Sequence, residues 1–552
     1  MNRKLVQKAE ALLAKERGTV YKDPGGRISI CLVFPNTYSV GMSNLGFQGI
    51  YGMLNRRDDI VCERAFLPEE SDIREYRRTG TPLFSFESKR PLAEFDIVAF
   101  SLSFENDYPN IITILDLARI PPEAAERNRF HPLVIAGGVC CFFNPEPFVP
   151  AFDIIVSGEA EGLIDEFIEL YKERDGVKDA VKKGASGVEG LYVPEFYEIR
   201  YNDDGTIRER LPLEGAPDRI RTRRLKDLSS SPITTSIITP EAEFSDMYLM
   251  EAMRGCPWRC RFCLVGHIYG PVRKKGIEQL RADVERARES AAGSQQQAVR
   301  IGVIGPSLTD HPDIEDLLCM EGVEFSITSL RASEKSAAIV DLLKRHKSVS
   351  IAPEAGTERM RQVVRKRVTE EEILRTSELI LDGGIENLRL YFMIGLPSER
   401  HEDIEGIVDL VKKVRQISGK GSIILSVSTF VPKPFTPFQW HPMEELNRVK
   451  EKLKFIKSSL KTERGVKVFH DVPKYAHMQG LFSVGDRRVF PVLRAMAQAG
   501  DFKRALAETG VEMGQYVFRQ KGVEEILPWD FLDHGGSKAR LWEDYRQALS
   551  LS

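Results

Sequence analysis

The chain has 552 residues, 42% of them hydrophobic and 29% charged, with a formal net charge of -3. That length suits three or four domains with their own cores, and the near-neutral balance excludes a globally basic nucleic-acid or membrane binder. Eight cysteines are too few for a disulfide scaffold, and no apolar run approaches the ~18 residues of a membrane span. A cytoplasmic protein without membrane contact is expected.

In chain order, the start "MNRKLVQKAEALLAKERGTVYKD" spaces Leu5, Ala9, Leu12 and Leu13 at helical intervals, which predicts a packed amphipathic helix rather than a signal peptide. Between about 27 and 159, "RISICLVFP", "FDIVAFSLSF", "PLVIAGG" and "FDIIVSGEAEG" read as buried strands alternating with helices, the pattern of a doubly wound parallel sheet. Ligands of such sheets sit beyond the strands' carboxyl ends, which selects the loops 35–49, 101–107, 137–147 and 157–161. Next, "LYVPEFYEIRYNDDGTIRERLPL" predicts a hairpin around Asp204-Gly205, and "LSSSPITTS" a polar connector.

From about 244 to 442 the alternation returns. A strand ahead of Cys256, then "AVRIGVIG", "EFSITSL", "KSVSIAPEAG", "NLRLYFMIGLP" and "SIILSVSTFVP", give six βα steps, too few for a closed eight-stranded barrel. The expected fold class is therefore α/β: a doubly wound sheet (1–175), a hairpin and linker (176–241), a partial (β/α)6 TIM-like barrel (242–443) and a mostly helical C-terminal region (444–552).

"RGCPWRCRFC" places Cys256, Cys260 and Cys263 on the loop after the first barrel strand. Structural zinc wants four protein ligands; no second cysteine pair follows, and only His267 offers a fourth. An iron-sulfur cube held by three thiolates keeps one iron open, which is a catalytic arrangement.

This spacing, with Phe262 immediately before the third cysteine, resembles the radical S-adenosylmethionine superfamily. The resemblance implies a 4Fe-4S cluster on Cys256, Cys260 and Cys263, whose open iron chelates S-adenosylmethionine and cleaves it to a 5'-deoxyadenosyl radical. Cluster potentials reach down to about -700 mV, so a strong reductant such as flavodoxin or ferredoxin is implied. The substrate stays open, with RNA or protein as candidates. Ser307, Thr309 and Asp310 stand where the superfamily often has Gly-Gly-Glu, as ligand contacts or as a helix cap. Arg331 is a candidate for the methionine carboxylate. Glu354 and Thr357 resemble the ribose segment, and Gly395 in "YFMIGLPSE" the adenine-backing strand.

The N-terminal layout is similar to cobalamin-binding domains, with Ser101 or Ser103, Gly137 and Gly138 expected near the ring or its nucleotide tail. The loop "PNTYSVGMSNLG" lacks the axial His of that pattern. "NPEPF", "APEAGTERMRQVV" and "FVPKPFTPFQWHP" resemble an uncharacterised bacterial family of B12-binding radical proteins. The expected activity is cobalamin-dependent methyl transfer to an unactivated carbon, against cobalamin-independent modification of RNA or protein and against a non-catalytic iron-sulfur carrier. Cys31, Cys62, Cys140, Cys141 and Cys319 are expected as buried small apolar residues. Arg487 and Arg488 beside Asp486 read as ion-paired rather than phosphate-binding, and "FVPKPFTPFQWHP" as a rigid aromatic loop that either walls off the substrate side or fastens the tail to the barrel.

Overall fold

The computed structural model describes residues 2–291, 298–327, 329–343 and 346–551. Six strands form the first sheet: β1 (Ile28–Phe34), β2 (Ile60–Phe66), β3 (Ile97–Ser101), β4 (Leu133–Gly137), β5 (Ile154–Val156) and β6 (Leu191–Tyr192). Their order is β2-β1-β3-β4-β5-β6, parallel except for the last. Alternate side chains of one strand serve opposite faces. Ile30, Leu32 and Phe34 meet the helices Leu45–Arg56 and Leu163–Glu173, while Cys31 and Val33 share a core with Tyr108–Ala118. The chain leaves β1 towards β2 and returns as β3 on β1's other side, so a switch point opens at the carboxyl ends of β1 and β3.

The hairpin β7 (Tyr197–Tyr201) and β8 (Ile207–Pro212) turns at Asp204-Gly205, where Gly205 has φ +80°. Then come β9 (Ile220–Arg221), β10 (Tyr248–Glu251), β11 (Met253–Arg254), β12 (Arg273–Lys274), β13 (Val299–Ile304), β14 (Val323–Ser326), β15 (Ser348–Glu354), β16 (Asn387–Ile394), β17 (Ser422–Thr429), β18 (Val466–His470) and β19 (Leu532–Asp533). Thr328, within the expected strand 324–330, lies outside the described residues.

The six expected barrel strands are present, but not as one continuous wall. Among the described residues, β10, β13 and β14 make a three-stranded sheet and β15 to β18 a four-stranded one, joined by a parallel bridge between Leu330 and Ile351. β18 is a seventh parallel strand, inside the stretch expected to be mostly helical; it pairs with β17 through Ile423/Val466 to Val427/His470. Helices such as Glu370–Asp382, His401–Ile417 and Leu446–Leu460 bury their apolar stripes on the outer face.

The tail beyond β18 does not build a separate core. Leu481, Phe482, Leu493, Trp529 and Tyr545 are buried in the same cluster as Phe100, Tyr108 and Phe148 of the first sheet and Trp440 of the barrel edge. Among the described residues no helix is long and apolar enough to cross a membrane.

Candidate functional site

β11 and β12 pair antiparallel, so residues 255–272 form a loop closed at its neck, with the three cysteines on it. Gly255 opens the loop at φ +82°, where a Cβ would come within 2.6 Å of the Tyr269 carbonyl oxygen. Arg261 pins the middle: its backbone N–H donates to Val364 O, and its guanidinium to Gln362 O, Val363 O and Asp544. Cys260 is 8% exposed, and Cys256 and Cys263 are half-buried. Burial pushes the Cys260 thiol up to about 12 and raises that of Cys263, so a bound cation has to drive off these protons.

The donor set fits a cluster better than a single ion. His267 Nε2 lies 3.1 Å from Cys260 O and is thus committed to the loop's backbone. No group of three or more His, Cys, Asp or Glu among the described residues converges on one ion position. A cube asks only for one thiolate per iron at separate corners, which three cysteines around one loop can supply.

Phe262 faces a cavity of about 450 Å³ at the carboxyl ends of β16 and β17, walled also by Met393, Ser428, Thr429 and Val431. Its far side is Phe104 and Asn106 of the first sheet and Tyr475 of the tail. The other expected contacts are largely occupied. Ser307 Oγ and Trp258 Nε1 both donate to Asp310 Oδ2, each at 2.6 Å. Arg331 lays its guanidinium 3.5 Å from the Trp258 ring centroid and donates to Lys366 O at 3.0 Å, while its N–H donates to Thr309 Oγ1. Glu354, at φ +68°, pairs with Lys366 Nζ at 2.9 Å. Thr357 caps the helix Glu358–Val363. Gly395, at φ +77°, donates its N–H to Glu399, whose carboxyl burial raises to about 6. Trp258 and Lys366 were not singled out in the sequence. Lys366 is legible only once the turn 364–367, with Arg365 and Arg367 at positive φ, folds it beside Cys260.

Beside the switch point lies a larger cavity of about 670 Å³. One wall is the sheet face of Ile30, Leu32, Ala99 and Ile135, and the opposite wall is Ile50, Leu54 and Phe167 on the two helices. Ser101, Ser103, Gly137 and Gly138 line it, as do Gly255, Val265 and Tyr269 of the cysteine loop. Gly138, at φ +99°, has no room for a Cβ, which would sit 2.5 Å from Leu102 O. Asn44 Nδ2 donates to Ser103 Oγ at 3.2 Å across the switch point.

The loop after β5 clamps the two units. Glu159 accepts two bonds from Arg273, both 2.7 Å, and Arg254 pairs with Glu159, Glu161 and Glu251 at 2.9, 2.8 and 2.7 Å. "NPEPF" likewise fastens the tail: Asn144 Nδ2 donates to Ser483 O and Gly485 O, and buried Glu146 accepts from Tyr192 and Arg487. Arg488 pairs with Asp486. In "FVPKPFTPFQWHP", Lys433 pairs with Glu105 of the first sheet, and Gln439 accepts from Trp529 Nε1 at 2.8 Å. Cys31, Cys62, Cys140 and Cys141 are fully buried. Cys319 is exposed, against expectation, because it ends the short helix Ile314–Leu318 where the chain turns at the surface.

Residues 250–411 match the radical SAM superfamily, and residues 46–194 match the N-terminal region of radical SAM proteins. The uncharacterized protein MJ0966 of Methanocaldococcus jannaschii is 29% identical over 466 residues, 84% of this chain and 89% of that one. The ribosomal protein uS12 methylthiotransferase RimO of Thermodesulfovibrio yellowstonii is 26% identical over 177 residues, which is 30% of this chain and 41% of RimO. Among solved structures, the cobalamin-dependent S-adenosylmethionine radical enzyme OxsB, with aqua-cobalamin and S-adenosylmethionine bound, has TM-score 0.46 and 16% identity, covering 70% of this chain and 52% of OxsB.

Proposed function

We propose that this chain, a radical SAM enzyme, holds a 4Fe-4S cluster on Cys256, Cys260 and Cys263, cleaves S-adenosylmethionine, and methylates an unactivated carbon with a corrinoid seated on its N-terminal sheet. One observation carries the reading: the cavity of about 670 Å³ runs from the switch point of that sheet to the cysteine loop, so a corrinoid seated there would lie beside the loop that would carry the cluster. When bound, the cluster with S-adenosylmethionine supplies a hydrogen-abstracting radical, and the corrinoid supplies a transferable methyl group.

The chain's own groups bind and orient. Phe262, Met393 and the Gly395 turn offer an apolar wall and an open backbone for the adenosyl group. Lys366 and Arg331 place cations on the Cys260 side, where a methionine carboxylate would lie. Ser307 and Asp310 act through Trp258, which they hold against the loop. Ala99, Gly137 and Gly138 leave room for a nucleotide tail, and Ser101 and Ser103 offer hydroxyls at its entry. The loop 35–49 carries no His, so a corrinoid bound beside it would rest on the apolar sheet face and on the Ser101 and Ser103 hydroxyls rather than on an imidazole of this loop.

Cobalamin-independent modification of RNA or protein is the competing reading, favoured by the similarity to RimO. Anaerobic reconstitution, dithionite reduction and addition of S-adenosylmethionine with cobalamin test both. 5'-Deoxyadenosine that disappears in Cys260→Ala, together with a retained corrinoid spectrum, is expected. Deoxyadenosine without any corrinoid uptake favours the competing reading, and a formed cluster that yields none sinks both.

A further inference from the structure

A closed barrel fills its interior with side chains, and a parallel sheet is ordinarily covered on both faces. The inner face of β16, β17 and β18 is left open. Leu390 and Phe392 of β16, Leu425 and Val427 of β17 and Val468 of β18 pack into the core beneath the outer helices. Their neighbours in sequence therefore point the other way. The parallel register sets those neighbours in rows across the strands: Arg389, Ile424 and Lys467, then Tyr391, Ser426 and Phe469, then Met393 and Ser428. Tyr391 is 38% exposed and Phe469 55%, so both rings of the middle row lie open to solvent on a sheet face.

The third row belongs to the cavity of about 450 Å³ that Phe262 faces. The rim of that cavity continues the aromatic path with Phe104 and Tyr475, both exposed. Charge beside the face is strongly positive. Residues 446–474, the helix Leu446–Leu460 and the edge strand β18 with its flanks, carry nine lysines and arginines against three acids in a chain of net charge -3. The side chains of Lys450, Lys454, Lys461, Arg464 and Lys467 are exposed, with no hydrogen-bond or ion-pair partner among the described residues. Arg389 uses one N–H on Ser426 Oγ at 3.2 Å and keeps the rest of its fork. In the cavity itself Lys433 is paired with Glu105 and Asp471 adds an acid, so an anionic backbone belongs on the sheet rows.

Open rings accept bases of any identity, and cations track a phosphate backbone. An acidic peptide would use the cations and leave both rings in water. Ser428 and Thr429 line the cavity with hydroxyls that have no hydrogen-bond partner among the described residues, and a ribose 2'-hydroxyl can meet them where a deoxyribose cannot. We infer that the inner face of β16, β17 and β18 is a track for a single strand of RNA. Bases stack on Tyr391 and Phe469, phosphates lie against Arg389 and Lys467, and the next nucleotide reaches the cavity beside Phe262. The inference rests on the proposed function and names its substrate class; no bond is made or broken on the track.

Anisotropy of a short fluorescein-labelled oligouridylate, titrated with anaerobically reconstituted protein, tests the track. Phe469→Ala is expected to weaken binding about tenfold, the effect of losing one stacked base. Lys467→Gln is expected to reduce the slope of log affinity against log salt by about 0.7, as loss of one phosphate contact does on a single strand. The deoxy strand of the same sequence is expected to bind more weakly than the RNA. Wild type that binds no oligouridylate, Phe469→Ala that binds as tightly as wild type, or polyglutamate that competes as well as RNA overturns the track. A deoxy strand that binds as tightly as RNA overturns the choice of RNA. Should Phe469→Ala melt without cooperativity, thiouridine placed in the same oligonucleotide decides on unaltered protein: photocrosslinks to Tyr391 or Phe469 are expected, and crosslinks confined to other residues overturn the inference. Failure of the proposed function reads differently, as absence of deoxyadenosine from protein that still binds the strand.

Discussion

Glu146 shows how a residue that looks functional in sequence earns its place by holding others. It is fully buried, and Arg487, Arg210 and the Tyr192 hydroxyl surround it; although burial opposes its charge, the arginines hold its carboxyl down at about 2. An acid lowered in the folded state contributes stability above its ordinary value of 4.5, and loses that contribution as pH falls towards 2. Glu146→Gln leaves two buried guanidinium groups uncompensated and is expected to cost about 3–5 kcal/mol. Urea unfolding at pH 7 checks the loss, and a variant stability that varies less than wild type between pH 4.5 and 2 checks its origin. Sequence could propose the three cysteines as cluster ligands because their spacing alone suggests that chemistry. It could not separate Glu146 from a ligand-facing acid, since its partners lie 46, 64 and 341 residues away.

At the scale of elements, the doubly wound sheet was legible because its strands are unbroken apolar runs ending in small residues. β18 was not: "VKVFH" is short, carries a lysine, and is surrounded by charged helical sequence, and it becomes a strand because β17 offers it an edge. The split between β14 and β15 was equally hidden, since the 3.6- and 2-residue periods of the sequence say nothing about whether neighbouring strands close up. The sheet face gives a prediction. Ala99 is the smallest side chain on the sheet face that walls the cavity of about 670 Å³, so Ala99→Phe fills space that is empty rather than occupied. The variant is expected to melt near wild type and to make deoxyadenosine, while gel-filtered protein retains no corrinoid. Retention equal to wild type would move the corrinoid out of this cavity.

For the whole molecule, the tail is the third side of both cores. Removing residues 444–552 uncovers Phe438 and Trp440 on the barrel edge and Tyr108 and Phe148 on the first sheet, and it deletes the acceptors that Asn144 uses. A 1–443 fragment is expected to be insoluble or to bind a hydrophobic dye without a cooperative melt; a soluble, cooperatively melting fragment would show that the tail merely decorates a finished fold. The strand pair β9 and β19 also implies an order of birth. Tyr516, Trp529 and the segment 530–547, which faces Arg259 and His267 of the cysteine loop, are translated long after Cys263, so that loop spends part of its synthesis without its outer cover. Iron and sulfide would then have a loading window that closes when β19 docks, and ribosome-bound chains stalled before residue 530 should take up cluster faster than the released protein.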